Sequence, residues 1–225
     1  MRYALRPGPA AGTGSYFFVG ILQPLAVDYF YMEEHLAVRT HDKMKEVLMN
    51  PAGEGPASHY YMIRGGSEMR NVTVWEVGTI DGEYIKTYGH YHIGQLDETY
   101  WVLLGEGVVL QQKMKEEQGV PQPDKLELFK AIRVKAGDSC YMPPGHGHLV
   151  VNTGKTYLVT ADDSPVNFGD KDPVSMPGHA DYEMVKKMKG FAYYVVEHNG
   201  APALKKNPLY TEIAQADFGG LPVID

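Results

Sequence analysis

Two histidines separated by one residue form the first pattern in the chain that can do chemistry, and a glutamate follows them. His90 and His92 stand two positions apart, and Glu98 comes six positions after His92. Because alternate residues of a β-strand face the same side, His90 and His92 can converge on one point while Tyr91 faces away. The run 98–104 is rich in aromatic and β-branched residues and predicts the next strand. If the two strands lie side by side, three side chains of metal-ligand type face one cavity.

A second stretch, 137–152, completes this set. It contains a turn glycine, a short strand, a Pro-Pro-Gly turn and then His148 at the start of another apolar strand. Three neutral imidazoles and one carboxylate suit a divalent first-row metal such as iron(II), manganese, nickel or zinc. His146 is a further candidate, although the turn is expected to leave it at the mouth of the cavity. The sequence therefore predicts a metal site with these ligands: His90, His92, Glu98 and His148.

Both stretches resemble the two motifs of the cupin superfamily. In the first motif a glycine leads the two histidines, and a glutamate precedes a glycine at a fixed distance, as Glu98 precedes Gly105. The second motif, G-x5-P-x-G-x2-H-x3-N, is matched without a gap by Gly137, Pro143, Gly145, His148 and Asn152. The resemblance implies an all-β fold: a cupin double-stranded β-helix (jelly-roll) barrel with a few short peripheral helices and a metal inside.

Length and charge bound the class of protein. The 225 residues predict one domain, 1–225, with a strand and helix extension at 1–50 and the barrel with flanking elements at 57–208. A net charge of -7 without a cluster of basic residues argues against a nucleic-acid partner.

The N-terminal segment and the cysteine usage suggest where the protein works. The apolar run 16–31 is interrupted by Pro24 and Asp28, and it has neither the length of a membrane span nor the cleavage pattern of a signal peptide. We expect strands that pack on the barrel there, and no membrane partner. Cys140 is the only cysteine, which predicts a reducing, cytoplasmic location and a thiol that fills space on a buried strand.

The remaining pattern predicts short strands joined by turns, with few helices. Apolar residues at helical spacing predict a short helix within 33–49 and a second helix at 184–189 that ends at Gly190. The charged stretch 115–124 predicts a loop, and Asn199-Gly200 predicts a hairpin turn. Alternating or β-branched runs predict strands at 59–64, 71–77, 84–87, 108–114, 126–134, 155–161, 191–197 and 202–206.

The order of the motifs narrows the resemblance to the cupin-type glucose-6-phosphate isomerases of archaea and some bacteria. A Thr-x-Gly-His-x-His run begins at Thr87, a Glu-x-Tyr pair ends at Tyr100, and a late histidine, His179, precedes Tyr182 and a helix. The resemblance covers roughly 72–208. It implies a homodimer that interconverts glucose 6-phosphate and fructose 6-phosphate in glycolysis and gluconeogenesis, with one divalent ion per subunit and iron(II) as the first candidate.

The same resemblance implies roles for individual residues. The four metal ligands would be those named above, and the catalytic residues would be Glu98 and Tyr100. Tyr61 is a less secure match to a further substrate-contacting tyrosine. The residues that contact the substrate would be Thr73, Thr87, Gly89, His179 and Tyr182.

The chain departs from the family pattern at the phosphate end of the pocket, which leaves alternatives open. Ala180-Asp181 separates His179 from Tyr182, and the stretch 163–177 has no counterpart in the pattern.

Glu98 is a candidate base for proton transfer from carbon, whereas a direct hydride shift would need no base. Alternative functions are an iron-dependent cupin dioxygenase with the same ligand set and a non-catalytic sugar-binding cupin. A mannose or pentose phosphate is an alternative substrate.

Overall fold

The computed structural model describes residues 36–65, 71–165 and 180–225. These residues contain seventeen strands and two short helices. The helices are α1 (His41–Met44) and α2 (Glu183–Lys187). The strands are β1 (Leu36–Thr40), β2 (Ser58–Ile63), β3 (Asn71–Trp75), β4 (Thr79–Ile80), β5 (Glu83–Tyr84), β6 (Tyr91–His92), β7 (Glu98–Leu104), β8 (Glu106–Glu117), β9 (Val120–Lys135), β10 (Ser139–Met142), β11 (Gly147–Asn152), β12 (Leu158–Asp162), β13 (Ala180–Asp181), β14 (Tyr193–His198), β15 (Ala201–Lys206), β16 (Glu212–Asp217) and β17 (Val223–Ile224).

Two larger sheets supply the walls of the barrel. One has six strands in the order β1-β2-β3-β12-β7-β10, and the other has four in the order β11-β8-β9-β16. A five-stranded sheet, β17-β15-β14-β5-β4, and the short pair β13-β6 complete the arrangement. Strands far apart in the chain, such as β3 and β12, are neighbours, as expected of a jelly-roll.

One hydrophobic core joins the sheets. Trp75 and Leu158 from the six-stranded sheet and Leu110 and Leu149 from the four-stranded sheet are at most 2% exposed and belong to one packed cluster. All six residues of β11 are buried, because this strand is covered on both faces. The predicted all-β, jelly-roll fold of the cupin type is confirmed.

The short helix predicted within 33–49 is present, but it is confined to four residues. Residues 36–40 form β1, which pairs with β2 in an antiparallel register, and only His41–Met44 are helical. Thr40 caps this helix, since its hydroxyl accepts a hydrogen bond from the Lys43 N–H. The hydrogen bonds of the sheet therefore outweigh a weak helical periodicity.

The predicted charged loop at 115–124 is wrong. β8 and β9 continue as a hairpin to a tight turn at Gln118-Gly119, where both residues have positive φ (55° and 76°). Cross-strand ion pairs such as Lys125–Glu117, at 2.8 Å, accompany the extension.

Several smaller predictions are confirmed. Asn199 and Gly200 have φ values of 54° and 77° and close the β14–β15 hairpin, as an Asn-Gly turn requires. α2 is followed by Gly190, whose N–H bonds the Val185 carbonyl at a φ of 116°. The strands β16 and β17 were not predicted. The strands expected within 16–31 lie outside the described residues, and no helix among the described residues is long and apolar enough to cross a membrane.

Candidate metal centre

The two histidine motifs meet through backbone hydrogen bonds. The His90 N–H donates to the His148 carbonyl at 3.2 Å, and the His148 N–H donates to the His90 carbonyl at 3.0 Å. This bridge lies where the chain enters β6 and where β11 begins. Tyr91, between the two histidines of the first motif, turns the other way, and its hydroxyl contacts the Gln112 side chain at 2.8 Å. The alternation predicted for His90 and His92 therefore holds.

Glu98 approaches the same point from the opposite sheet. It is the first residue of β7, where it pairs with Met142 of β10. Glu98 Oε2 lies 3.0 Å from His148 Nε2 and 3.4 Å from His92 Nε2. His90 Nε2 lies 2.9 Å from His92 Nε2. One potential ligand atom from each of the four residues lies within 4.8 Å of the other three.

The chemistry of these four groups fits a divalent metal ion. The side chains of His92, Glu98 and His148 are 4%, 3% and 2% exposed. Glu98 Oε2 and His148 Nε2 are buried, and although they lie 3.0 Å apart, neither atom makes a well-aligned hydrogen bond within the described part of the chain. Buried polar atoms without such partners cost free energy, and coordination of a shared ion would satisfy both.

Electrostatics favour the ligand forms of two of these side chains. Burial, together with the neighbouring His148 and His92, holds the pKa of His90 well below its ordinary value. Burial alone would raise the pKa of Glu98, but the adjacent His148 and His92 outweigh it and lower that pKa. A neutral imidazole and an ionised carboxylate are the forms that bind metal.

Tyr100 lies beside the cluster, as predicted. Its ring centroid is 5.6 Å from that of His148, edge to face. Burial and the charges of Glu98 and Asp162 raise the pKa of the Tyr100 phenol well above its ordinary value. Asp162, which pairs with Tyr100 across β12 and β7, was not predicted as a site residue. Burial and the Glu98 charge raise the pKa of Asp162 to about 7, although Asn71 donates a hydrogen bond to it at 2.6 Å.

The residues expected to hold a phosphate lie on two segments, β3 and the residues just before β6. Thr73 of β3 is 8% exposed and pairs with Thr160 of β12. The Thr87 hydroxyl accepts the Val150 N–H at 3.0 Å and ties the first motif to β11. Gly89 has a φ of 81°, and a Cβ there would lie 2.9 Å from the Phe191 ring. A residue other than glycine would be strained at this position.

The late segment reaches the cluster through a short strand pair. Ala180 of β13 pairs with His92 of β6, and the Tyr182 ring then lies 5.6 Å from the His90 ring. Tyr182 is thus next to a candidate ligand, whereas His179 lies outside the described residues.

Tyr61, the further tyrosine that the resemblance matched, lies on the outward face of β2, which does not favour a contact with the substrate. The Tyr61 hydroxyl bonds Glu76 at 3.1 Å, and Tyr61 pairs with Val38 and Val74, of which Val38 is 42% exposed. Tyr60 faces the interior instead, and its hydroxyl accepts the Tyr88 N–H at 3.2 Å. Period-two alternation in a run of consecutive aromatic residues gives no signal for which face is buried.

The surroundings of His146 and Cys140 show that neither side chain belongs to the cluster of candidate metal ligands. His146 stands apart from the cluster in the turn, where its Nδ1 contacts the Pro144 carbonyl at 3.1 Å. Cys140 is 6% exposed, and burial raises the pKa of its thiol to about 11. It is therefore the buried, unreactive thiol that the sequence predicted.

These features define a class of protein, a cupin-type jelly-roll with three histidines and one glutamate converging inside the barrel. The family model described as glucose-6-phosphate isomerase (GPI) matches residues 59–212, more than half of the chain. The chain belongs to the glucose-6-phosphate isomerase family.

Individual relatives agree with this assignment. The glucose-6-phosphate isomerase of Thermococcus litoralis is 33% identical over 138 residues, which cover 60% of this chain and 60% of that protein. The enzyme of the same name from Pyrococcus furiosus is 33% identical over 138 residues, covering 60% and 61%. The matched region thus spans about 60% of the length of these curated relatives. A solved structure described as a predicted oxalate decarboxylase from Thermotoga maritima aligns at 21% identity and a TM-score of 0.35, covering 56% of this chain and 88% of that chain.

Proposed function

We propose that the chain is a metal-dependent aldose–ketose isomerase that interconverts glucose 6-phosphate and fructose 6-phosphate. The observation that carries this proposal is the convergence of His90, His92, Glu98 and His148 in a member of this family. The names of the curated relatives support the choice of substrate.

The proposed ligands are these four side chains, with iron(II) as the first candidate ion and manganese, nickel or zinc as alternatives. A divalent ion bound there would supply Lewis acidity and polarise the carbonyl group of the sugar. The protein residues would orient the substrate around it. Tyr100, a protonated phenol at neutral pH, can donate a hydrogen bond to a sugar oxygen.

We propose a second role for Glu98, as the base that moves a proton between the two carbon atoms. Conversion of the aldose into the ketose moves one hydrogen from C2 to C1 and one proton between the two oxygens. Glu98 can accept the proton from C2 and return it to C1, in which case hydrogen from solvent enters the product. A direct hydride shift would leave solvent hydrogen out of C1, and turnover in deuterium oxide separates the two paths.

The phosphate would lie at the other end of the pocket. Thr73, Thr87 and the Gly89 N–H are the proposed contacts, with Tyr182 as a side wall next to His90. His179 remains a proposed contact from the sequence. Backbone N–H groups and hydroxyls are suitable donors to phosphate oxygens.

The test is turnover of fructose 6-phosphate, measured through coupled formation of glucose 6-phosphate on protein reconstituted with one ion at a time. Glu98→Gln and His148→Ala should lower kcat/KM by more than the roughly 10- to 100-fold loss typical of groups that only support a ligand. His146→Gln is the matched control, because His146 lies in the turn outside the cluster, and it should stay within about a factor of two.

Three results would contradict the proposal. Absence of turnover with every ion would exclude this isomerase. Oxygen consumption on addition of substrate, with no sugar isomer formed, would favour the dioxygenase alternative. Retention of activity in Glu98→Gln and His148→Ala would exclude the proposed ligand set.

A further inference from the structure

Arg39 lies on the inner face of the six-stranded sheet, although it is on the edge strand β1. It pairs with Tyr60 of β2, which pairs with Trp75 of β3, which pairs with Leu158 of β12. Tyr60, Trp75 and Leu158 are 2%, 1% and 0% exposed, so this row of side chains faces the core. Thr73, two residues before Trp75, shares the same face.

The guanidinium group of Arg39 lies among three tyrosine rings. Its central carbon is 5.8 Å from the ring centroid of Tyr60, 5.9 Å from that of Tyr88 and 5.6 Å from that of Tyr182. These separations are within the range of cation–π attraction. Since the Tyr182 ring also contacts the His90 ring, one aromatic side chain separates Arg39 from a proposed metal ligand.

A single hydroxyl links Arg39 to the backbone of the first motif. Arg39 Nε donates to the Tyr60 hydroxyl at 3.1 Å, and the Tyr88 N–H donates to the same oxygen at 3.2 Å. Tyr88 stands between Thr87 and Gly89, two of the three proposed phosphate contacts. The guanidinium therefore lies near the backbone that carries these two contacts.

The positive charge of Arg39 has no carboxylate partner among residues 36–65, 71–165 and 180–225, where no carboxylate oxygen is within 4.0 Å of its nitrogens. Glu46, which bonds the Tyr88 hydroxyl at 2.6 Å, is paired instead with Lys43 at 2.8 Å and with Lys186 at 3.4 Å. Arg39 is also only half-buried. Arginine offers a planar fork of N–H donors that matches a phosphate group.

We propose that Arg39 binds the phosphate group of the sugar-phosphate substrate. This inference rests on the proposed function for the identity of the sugar but not for the anion. The guanidinium lies among three tyrosine rings, and in this proposal its terminal N–H groups bind the phosphate together with Thr87 and Gly89.

The test compares ligands with and without the phosphate on Arg39→Met, Arg39→Lys and a matched control. Arg133→Met is the control, because Arg133 is an exposed arginine on β9. The probes are glucitol 6-phosphate and glucitol, titrated calorimetrically into metal-free and metal-loaded protein. Arg39→Met should weaken glucitol 6-phosphate binding by roughly 10- to 100-fold, the loss of a charge-assisted hydrogen-bond pair. Arg39→Lys should recover part of it, and Arg133→Met should bind like the wild type.

Steady-state kinetics add a readout that a purely structural role would not give. For Arg39→Met we expect KM for fructose 6-phosphate to rise by a similar factor, a smaller change in kcat and an unchanged metal content. Equal losses for glucitol and glucitol 6-phosphate would mean that Arg39 only supports the fold. Such a result, unchanged affinity in Arg39→Met, or a wild type that does not bind glucitol 6-phosphate would overturn the inference.

The two proposals can fail separately. If wild-type protein binds glucitol 6-phosphate through Arg39 but does not isomerise fructose 6-phosphate, the phosphate site stands and the proposed reaction falls. If the protein isomerises the sugar and Arg39→Met leaves KM unchanged, the reaction stands and the role of Arg39 falls.

Discussion

At the scale of single residues, His59 is a buried histidine away from the metal cluster. It is 0% exposed, and its Nε2 lies 2.9 Å from Nδ1 of His41, whose Nε2 contacts the Gly53 carbonyl at 3.0 Å. Burial, with smaller effects from His41 and Lys86, lowers the pKa of His59 from 6.5 to about 4. The folded protein therefore keeps this imidazole neutral where the unfolded chain would protonate it.

Because the pKa of His59 is lower in the folded protein than in the unfolded chain, the free energy of unfolding should fall as the pH falls. Between pH 6.5 and about 4 the unfolded chain binds a proton at His59 that the folded chain does not. The stability that neutral His59 contributes to the folded state is thus complete above pH 6.5. It is lost as the pH falls toward 4, and the free energy of unfolding falls by about 3 kcal/mol. Urea unfolding of wild type and His59→Gln at pH 7.5, 5.5 and 4.5 measures it.

The expected result is a steeper acid loss of stability in the wild type than in His59→Gln. His198→Gln is the matched control, because His198 is exposed at the end of β14, and it should follow the wild type. Parallel curves for the wild type and His59→Gln would contradict the assignment.

Individual site residues differed in how far the sequence could predict them. His90 and His92 were predictable because an HxH pair on a strand has only one arrangement that brings both rings together. Asp162 and Arg39, the proposed phosphate contact, were not, because each is positioned by pairing with another strand, Arg39 with β2 and Asp162 with β7. Residue type alone does not distinguish such a side chain from a surface charge.

At the scale of elements, the segment between β5 and β6 is anchored by a buried ion pair. Lys86 pairs with Glu83, and their side chains are 3% and 1% exposed. Lys86 Nζ also donates to the Val47 carbonyl at 2.7 Å, and the Met49 N–H donates to Glu83 at 2.7 Å. The pair therefore ties the chain that carries Thr87 to the segment after α1.

Loss of one partner should be costly. Lys86→Met would leave Glu83 buried without its cation, and we expect the free energy of unfolding to fall by about 3–5 kcal/mol. Combining Lys86→Met with Glu83→Gln should cost less than the sum of the two single changes, because the second change removes the unpaired charge. Urea unfolding of the four proteins gives the coupling energy.

An exposed pair of the same type serves as the control. Lys113 and Glu127 lie 2.8 Å apart with side chains 41% and 55% exposed. Lys113→Met should therefore cost less than about 1 kcal/mol. A Lys86→Met cost no larger than that of Lys113→Met would show that the buried pair is not an anchor.

A strand or a turn could be predicted from the sequence where its own residues favour the structure that its distant partners also require. The Asn199-Gly200 hairpin needs only its own turn geometry and was predicted. β1 needs β2 as a partner, and residues 36–40 carry no strong local preference, so its strand was missed. The same holds for β16, which pairs in parallel with β9.

At the scale of the whole molecule, metal binding should link stability and activity. A ligand that binds the folded chain and not the unfolded one raises the stability of the fold. The four proposed ligands come from β6 and the residue before it, β7 and β11, so an ion at this site would join strands of three sheets. The homodimer, the cytoplasmic location and the single domain over 1–225 stay predictions from the sequence.

The most direct measurement is a metal titration of chelated protein in which bound metal, thermal midpoint and fructose 6-phosphate turnover are read on the same samples. We expect no turnover without metal. We also expect turnover and the thermal midpoint to rise together until one ion is bound per chain, with a redox-silent ion such as zinc among the effective ones. Full turnover in metal-free protein, or binding of metal without any turnover, would contradict a metal-dependent isomerase.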